Sequence, residues 1–179
     1  RTSCGTELNR LAYMMPESLM QIYDDLERVI GETFASNKLS DHEAVAFKSF
    51  LLVVSQRSNI NNKPEKFAKI VDPVLQSWTD EGTMKGLMDL PWFMERVGIV
   101  AIADYFRSRG VTADTDLLKA EMDQVGKDLK SELKSKWSAL FPIRATRIFI
   151  QYTIEKLDHN SQEYKDLLAL WKPRIQPIL

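Results

Sequence analysis

Two histidines, His42 and His159, and one cysteine, Cys4, are the side chains best suited to metal binding or nucleophilic chemistry, and their spacing serves neither. Zinc sites draw on clustered Cys and His, whereas these three are scattered along the chain. His42 falls inside Ser40-Asp41-His42-Glu43, a capping-box pattern, and reads as a surface residue at a helix start. His159 lies in the turn Asp158-His159-Asn160 and reads the same way, and Cys4 reads as an ordinary thiol. The carboxylate pair Asp24-Asp25 occupies consecutive helix positions, which point apart, so it reads as solvated surface. No G-x-x-x-x-G-K-S/T or G-x-G-x-x-G phosphate loop and no G-x-S-x-G elbow occurs. The sequence therefore predicts no catalytic residue, no metal site, no cofactor and no enzyme.

Charge is the one unbalanced feature. Lys127, Lys130, Lys134, Lys136, Arg144 and Arg147 stand against Asp128 and Glu132, a local excess of +4 (six minus two) in a chain of formal charge -1. The 3 and 4 spacing of Lys127, Lys130 and Lys134 puts them on one helix face, and Arg144 and Arg147 share a face on the next helix. Arg107 and Arg109 add a smaller basic spot beside Gly110. A basic row is either a solvated face or a contact for an acidic partner or a phosphate backbone. The overall balance excludes a wholesale polyanion binder. The tryptophans Trp78, Trp92, Trp137 and Trp171 sit on apolar stripes and read as core anchors rather than base-stacking platforms.

The elements that must carry these residues are helices. Only seven glycines occur in 179 residues, and no segment alternates in the β manner. A first helix is predicted over 6–15, ending before Pro16, which opens a second. Leu19, Ile22, Tyr23, Leu26, Val29, Ile30 and Phe34 mark the second helix, and Ser36-Asn37-Lys38 its terminal turn. The capping box starts a third helix with Phe47, Phe50, Leu51 and Val54 on one face. Asn62 is read as the cap of a fourth helix, with the stripe Phe67, Ile70, Val71, Val74, Leu75, Trp78 and a kink at Pro73. Residues 79–91 read as a loop with one helical turn, followed by short helices at 91–97 and 99–109 split near Gly98, with Gly110 as C-cap. Asp114 is read as the cap of a long helix bearing Leu118, Met122, Val125, Leu129, Leu133 and Trp137, broken at Phe141-Pro142. Pro142 opens a helix with Ile148, Phe149 and Tyr152. Ser161 caps a last helix with Tyr164, Leu167, Leu168 and Trp171, limited by Pro173 and Pro177.

The fold class is accordingly all-α: antiparallel helical hairpins of period about 35 to 45 residues, stacked as an α-α superhelix of the HEAT or armadillo kind, with a closed bundle as the alternative. A hydrophobic share of 44% supports a core. No apolar run approaches the ~20 residues of a membrane span, and no secretory signal opens the chain. A lone cysteine fits a reducing compartment. The start at Arg1 rather than Met, with apolar Tyr13, Met14, Ile175, Ile178 and Leu179 near the ends, suggests a single helical-repeat segment, 1–179, of a longer solenoid.

Several stretches also resemble a known family. Leu11-Ala12-Tyr13-Met14-Met15-Pro16-Glu17, Ile22-Tyr23-Asp24-Asp25-Leu26-Glu27 and Phe47-Lys48-Ser49-Phe50-Leu51-Leu52-Val53-Val54-Ser55-Gln56-Arg57-Ser58 resemble the central part of fungal exportin-5-type karyopherins of the importin-β superfamily. Val71-Asp72-Pro73-Val74-Leu75-Gln76-Ser77-Trp78 and Phe141-Pro142-Ile143-Arg144-Ala145-Thr146-Arg147 are similar to further elements of that family. The resemblance implies a HEAT-repeat superhelix and a monomeric fragment of a receptor that shuttles between nucleus and cytoplasm. It implies export of cargo, either structured RNA or protein (often phosphorylated), together with Ran-GTP. A non-transport scaffold or adaptor built from helical repeats is the competing reading, since fold alone does not give function.

Overall fold

A computed structural model describes residues 2–36, 39–155 and 157–178. Among these residues every regular element is a helix. The chain folds as two compact units, one formed by 1–76 with 143–179 and the other by 77–142.

The first unit is built around α4 (Asp41–Arg57). Its start is fixed by the predicted capping box: the Ser40 hydroxyl accepts the Glu43 N–H, and the Glu43 carboxylate accepts the Ser40 N–H at 2.9 Å. From Ser49 to Gln56 every residue is buried. The expectation of a single apolar face was too narrow, because a helix surrounded by neighbours must be apolar or internally satisfied all round. α1 (Thr2–Met14), α2 (Pro16–Met20), α3 (Tyr23–Ala35), α5 (Lys63–Leu75) and α10 (Ile143–Ile150) all pack on it. Its buried polar groups are answered locally. Ser49 donates to Asn9 Oδ1 at 3.0 Å, Gln56 donates to the Lys63 carbonyl at 3.0 Å, and Ser58 donates to the Val54 carbonyl at 2.6 Å.

Helix polarity follows from which residues meet. Asn9 meets Ser49 and the Pro16 carbonyl meets Ser58, so α1 and α4 run in the same direction. Lys48 lies over Phe34, while Tyr23 bonds Ser55, so α3 runs opposite to α4. Lys66 covers Tyr23 and Lys69 pairs with Glu27, so α5 runs with α3. His42 meets Arg144 at the start of α10, while Arg57 lies over Tyr13, whose hydroxyl meets the Tyr152 carbonyl just past the end of α10, so α10 runs with α4. Phe67 meets Trp171, and Asp72 meets Arg174 in α11 (Gln162–Ile175), so α11 runs with α5. The unit is thus three antiparallel pairs, α1 with α3, α4 with α5 and α10 with α11, each helix stacking on its counterpart in the next pair. This is the helical-repeat arrangement expected.

Several local expectations change. The predicted second helix is two, because the chain turns at Gln21 and Ile22. Ile22 and Val29 are exposed, whereas Tyr23 and Ile30 are buried. Asn62 occupies the cap position of α5, but its side chain makes no cap bond. α5 runs through Pro73 to Leu75, and α11 runs through Pro173 to Ile175. Between α10 and α11 the chain makes a π turn, Gln151–Glu155. Tyr13 is half-buried, with its hydroxyl donating to the Tyr152 carbonyl, while Met14 is well exposed. The readings at Asn37, Lys38 and Leu179 and of the Cys4 side chain lie outside the described residues.

The period of 35 to 45 residues holds from α1 to α4 and then stops. The third pair begins at Ile143, because 77–142 form a separate unit between α5 and α10. That unit contains α6 (Glu81–Leu87), α7 (Leu90–Arg96), α8 (Ile99–Ser108) and α9 (Gln124–Leu140). Residues 79–91, expected as loop, are mostly helical. Asp80 and Asp89 cap α6 and α7 by accepting the N–H groups of Thr83 and Trp92. Gly86 is not a breaker: it is buried under Trp92, whose ring fills the place of a side chain. α8 and α9 are antiparallel, since Leu133 covers Gly98 while Tyr105 covers Gly126. Gly110 ends α8 as predicted, in the left-handed conformation with the Val111 N–H bonded to the Phe106 carbonyl. The two ends of the unit are adjacent, with the Trp78 and Phe141 rings 6.4 Å apart.

The expected helix from Asp114 does not form there. α9 begins at Gln124, capped by Asp123, and Leu117, Leu118 and Met122 are exposed. Asp123 wins the cap because its carboxylate is also held by Tyr105 of α8 and by Arg109 just past its end, partners that Asp114 lacks among the described residues.

Candidate binding surface

The predicted basic residues separate by what already neutralises them. In the unit 77–142, Arg107 pairs with Asp104 at 2.8 Å. Arg109 pairs with Asp123 and lies over the Tyr105 ring at 5.3 Å. Lys136 pairs with Glu132 at 2.6 Å, Lys85 with Glu81 at 2.6 Å and Lys119 with Asp116 at 3.1 Å. Lys127, Lys130 and Lys134 are different. They are exposed on α9, and no ion pair to them occurs among the described residues.

The register of α9 explains the row. Gly126, Leu133 and Leu140 face inward, so the helix is pinned on that side by contacts with α8, and the lysines at 127, 130 and 134 must face water. The N-cap fixes where the row starts. Asp123 is held below the usual carboxylate range, chiefly by the Gly126 N–H and then by the Tyr105 hydroxyl and the Arg109 guanidinium. Trp137, expected in the core, is partly exposed and donates its indole N–H to the Val97 carbonyl at 2.9 Å. It locks the far end of α9 to the start of α8.

Arg144 and Arg147 belong to the other unit, on α10. Both are exposed, and Arg144 contacts His42 Nδ1 at 3.0 Å. His42 is therefore a contact between α4 and α10 as well as a helix-start residue. His159 is exposed, with its ring 4.7 Å from Tyr164. Among the described residues no group of three His, Cys, Asp or Glu could hold a metal ion, and no helix is long and apolar enough to cross a membrane.

Two features of the first unit escaped the sequence reading. One is a polar node where Arg57 stacks over Tyr13 at 4.8 Å and pairs with Glu163 at 3.1 Å, joining α1, α4 and α11. Burial pushes the Tyr13 phenol up, against the lowering effect of Arg57. The other is an open apolar groove of 410 Å³ between α10 with its π turn and α11. Ile150, Ile154, Leu168, Trp171 and Ile175 supply its apolar lining, and the first three each follow a buried neighbour, Phe149, Thr153 and Leu167. The signal was present as apolar residues at 150 and 154 and at 168 and 175, but periodicity does not distinguish a covered face from an open one.

Stacked antiparallel helix pairs define a helical-repeat protein. The model of the Exportin-5 family matches residues 1–178, and the chain belongs to that family. It is 52% identical to Protein MSN5 of Saccharomyces cerevisiae over 179 residues, which are 100% of this chain and 14% of that protein. It is 29% identical over 185 aligned residues to an uncharacterized protein of Schizosaccharomyces pombe, covering 100% of this chain and 15% of that one. The chain thus spans about one seventh of the length of these curated relatives. No solved structure matches it.

Proposed function

We propose that residues 1–179 are a non-catalytic segment of a longer nuclear export receptor that shuttles between nucleus and cytoplasm and binds cargo together with Ran-GTP. Membership of the Exportin-5 family over residues 1–178 carries this reading. The helical-repeat pairing of α1 with α3, α4 with α5 and α10 with α11 supports it, because such stacks offer long surfaces to large partners.

Within this segment the proposed cargo contact is the row Lys127, Lys130 and Lys134, with Arg144 and Arg147 as a second basic site. The carrying observation is that the three lysines are the exposed cations of α9 that form no ion pair among the described residues, whereas Lys136 pairs with Glu132. Unpaired cations in a row suit phosphate groups, whether on structured RNA or on a phosphorylated protein. Arg107 and Arg109 are weaker candidates, since Asp104 and Asp123 already answer their charge.

The test is a pull-down of the full-length protein with Ran locked in its GTP form, with and without cargo. Cargo capture that depends on Ran-GTP supports the receptor reading, and capture indifferent to Ran favours a scaffold. Lys127→Glu, Lys130→Glu and Lys134→Glu together should weaken cargo binding at least tenfold and flatten its salt dependence. Unchanged affinity would remove the lysine row from the cargo surface.

A further inference from the structure

The basic spot at Arg107 and Arg109 is poorly used as a cargo contact, because Asp104 and Asp123 already answer both charges. Both arginines belong to a different pattern. Thr112 stands three residues after Arg109 and five after Arg107, in Arg107-Ser108-Arg109-Gly110-Val111-Thr112. No other serine or threonine of the chain stands three residues after an arginine. Arginines at these two distances before a hydroxyl form the substrate pattern of basophilic serine/threonine kinases, whose carboxylates hold each guanidinium.

The fold presents this hydroxyl. α8 ends at Ser108, and Gly110, in left-handed backbone, turns the chain out of the helix. Thr112 is exposed, within a stretch 111–123 that forms no helix. Among the described residues its hydroxyl has one hydrogen-bond contact, the Thr115 hydroxyl at 3.3 Å. Ser108 makes the contrast: it lies in α8 and donates its hydroxyl to the Tyr105 carbonyl at 2.7 Å. Arg109 is already past the end of α8, and Arg107 is in its last turn, where helices fray. The ion pairs of both arginines are solvent-exposed, so exchanging their carboxylates for those of a kinase costs little.

We propose that Thr112 is the acceptor of a phosphoryl group from ATP, transferred by a serine/threonine kinase that reads Arg107 and Arg109. The Thr112 Oγ1 forms a bond to the γ-phosphorus, the bond from that phosphorus to ADP breaks, and the hydroxyl proton passes to the catalytic carboxylate of the kinase. The product phosphate, with a charge of about −2, has Asp114 and Asp116 after it in the chain and Arg109 before it. The carboxylates repel it and Arg109 attracts it, so the phosphate competes with Asp123 for that guanidinium. Asp123 caps α9 by accepting the Gly126 N–H at 2.9 Å. Without Arg109 it keeps the Tyr105 hydroxyl but loses its counter-charge, and the first turn of α9 opens more often.

The full-length protein is incubated with MgATP and a purified kinase selective for Arg-x-Arg-x-x-Ser/Thr, and the sites are located by peptide fragmentation. Thr112 should be modified about tenfold faster than any other hydroxyl, and Thr112→Ser should be modified like the parent. Arg107→Lys and Arg109→Lys keep a positive charge beside Asp104 and Asp123 but lose the planar fork, and each should slow the transfer about fivefold. Incorporation into a synthetic peptide of residues 104–118 but not into the protein would overturn the assignment. So would equal rates for the lysine variants, or faster modification of another hydroxyl. Hydrogen exchange reads the consequence at Gly126 and Lys127, whose N–H groups bond the Asp123 carboxylate and carbonyl. Both amides should exchange about threefold faster in the phosphorylated protein. Unchanged exchange would overturn the competition for Arg109. Neither measurement needs Ran or cargo, so the outcome is independent of the export reading.

Discussion

Trp171 donates its indole N–H to the Thr153 hydroxyl at 2.9 Å, and each of the two residues is only 2% exposed. The Thr153 hydroxyl in turn donates to the Phe149 carbonyl at 2.7 Å. One side chain thereby ties the π turn to both arms of the third helix pair. A threonine hydroxyl inside a helix commonly returns to a preceding carbonyl, and here the loosened turn also lets its oxygen accept from across the pair. Thr153→Val keeps the shape and removes the acceptor. The buried indole N–H is then unsatisfied, at a cost of about 1–3 kcal/mol. Urea unfolding should show that loss. In a double-mutant cycle with Trp171→Phe, the loss at 153 should shrink, because the stranded donor is gone.

Leu118 tests the correction at α9. Its side chain is 98% exposed, although the sequence places it at the head of an apolar stripe that continues through Met122, Val125, Leu129 and Leu133. Leu118→Ser should change the stability of the chain by no more than about 0.5 kcal/mol. Leu133→Ala, in the same stripe but buried against Gly98, should cost about 2–5 kcal/mol. Equal losses at the two positions would restore the longer helix.

That contrast shows where the sequence was legible. Helix starts with a local donor and acceptor set were readable: Ser40 with Glu43, Ser161 with the Tyr164 N–H, and Gly110 at the end of α8. Those signals need only neighbours within a turn. The start of α9 was not readable, because Asp123 outcompetes Asp114 through Tyr105 and Arg109, which reach it only after α8 has packed. The interruption of the repeat was hidden for a related reason. Helices of an inserted unit show the same 3.6-residue period as helices of a repeat, and the proximity of Trp78 to Phe141 that marks its ends is a tertiary fact. Of the basic residues, the row on α9 was visible from spacing. Which arginines were already paired was not, since Arg109 finds Asp123 across a turn-rich segment.

Gly98 and Gly110 both adopt left-handed backbone, with φ of 78° and 66°. Alanine at either position pays the left-handed penalty of roughly 1–2 kcal/mol. At Gly110 nothing lies within reach of an added methyl, so the loss should end there. At Gly98 the methyl would overlap the Leu133 side chain, adding overpacking of about 1–3 kcal/mol. Denaturant midpoints should therefore fall further for Gly98→Ala than for Gly110→Ala. The Trp137 indole, bonded to the adjacent Val97 carbonyl, should report the rearrangement at Gly98 by fluorescence.

Alkaline pH isolates the buried phenols. Tyr23 is buried, and desolvation, reinforced by the Glu27 carboxylate, pushes its ionisation well above the ordinary value of about 10. The folded chain then keeps this proton at a pH where the unfolded chain has lost it. The unfolded state binds fewer protons, so stability is intact below pH about 10 and declines above it, by at most about 1.4 kcal/mol per pH unit for such a group. Tyr13 acts in the same direction through its own burial. Tyr23→Phe forfeits the bond to Ser55 and so starts lower near pH 8. Its stability should then fall less steeply between pH 9.5 and 11 (about this window, centred on the unfolded phenol value). Parallel urea curves for the two chains across that window check the sign: equal slopes would mean that the Tyr23 phenol ionises as readily in the fold as in water.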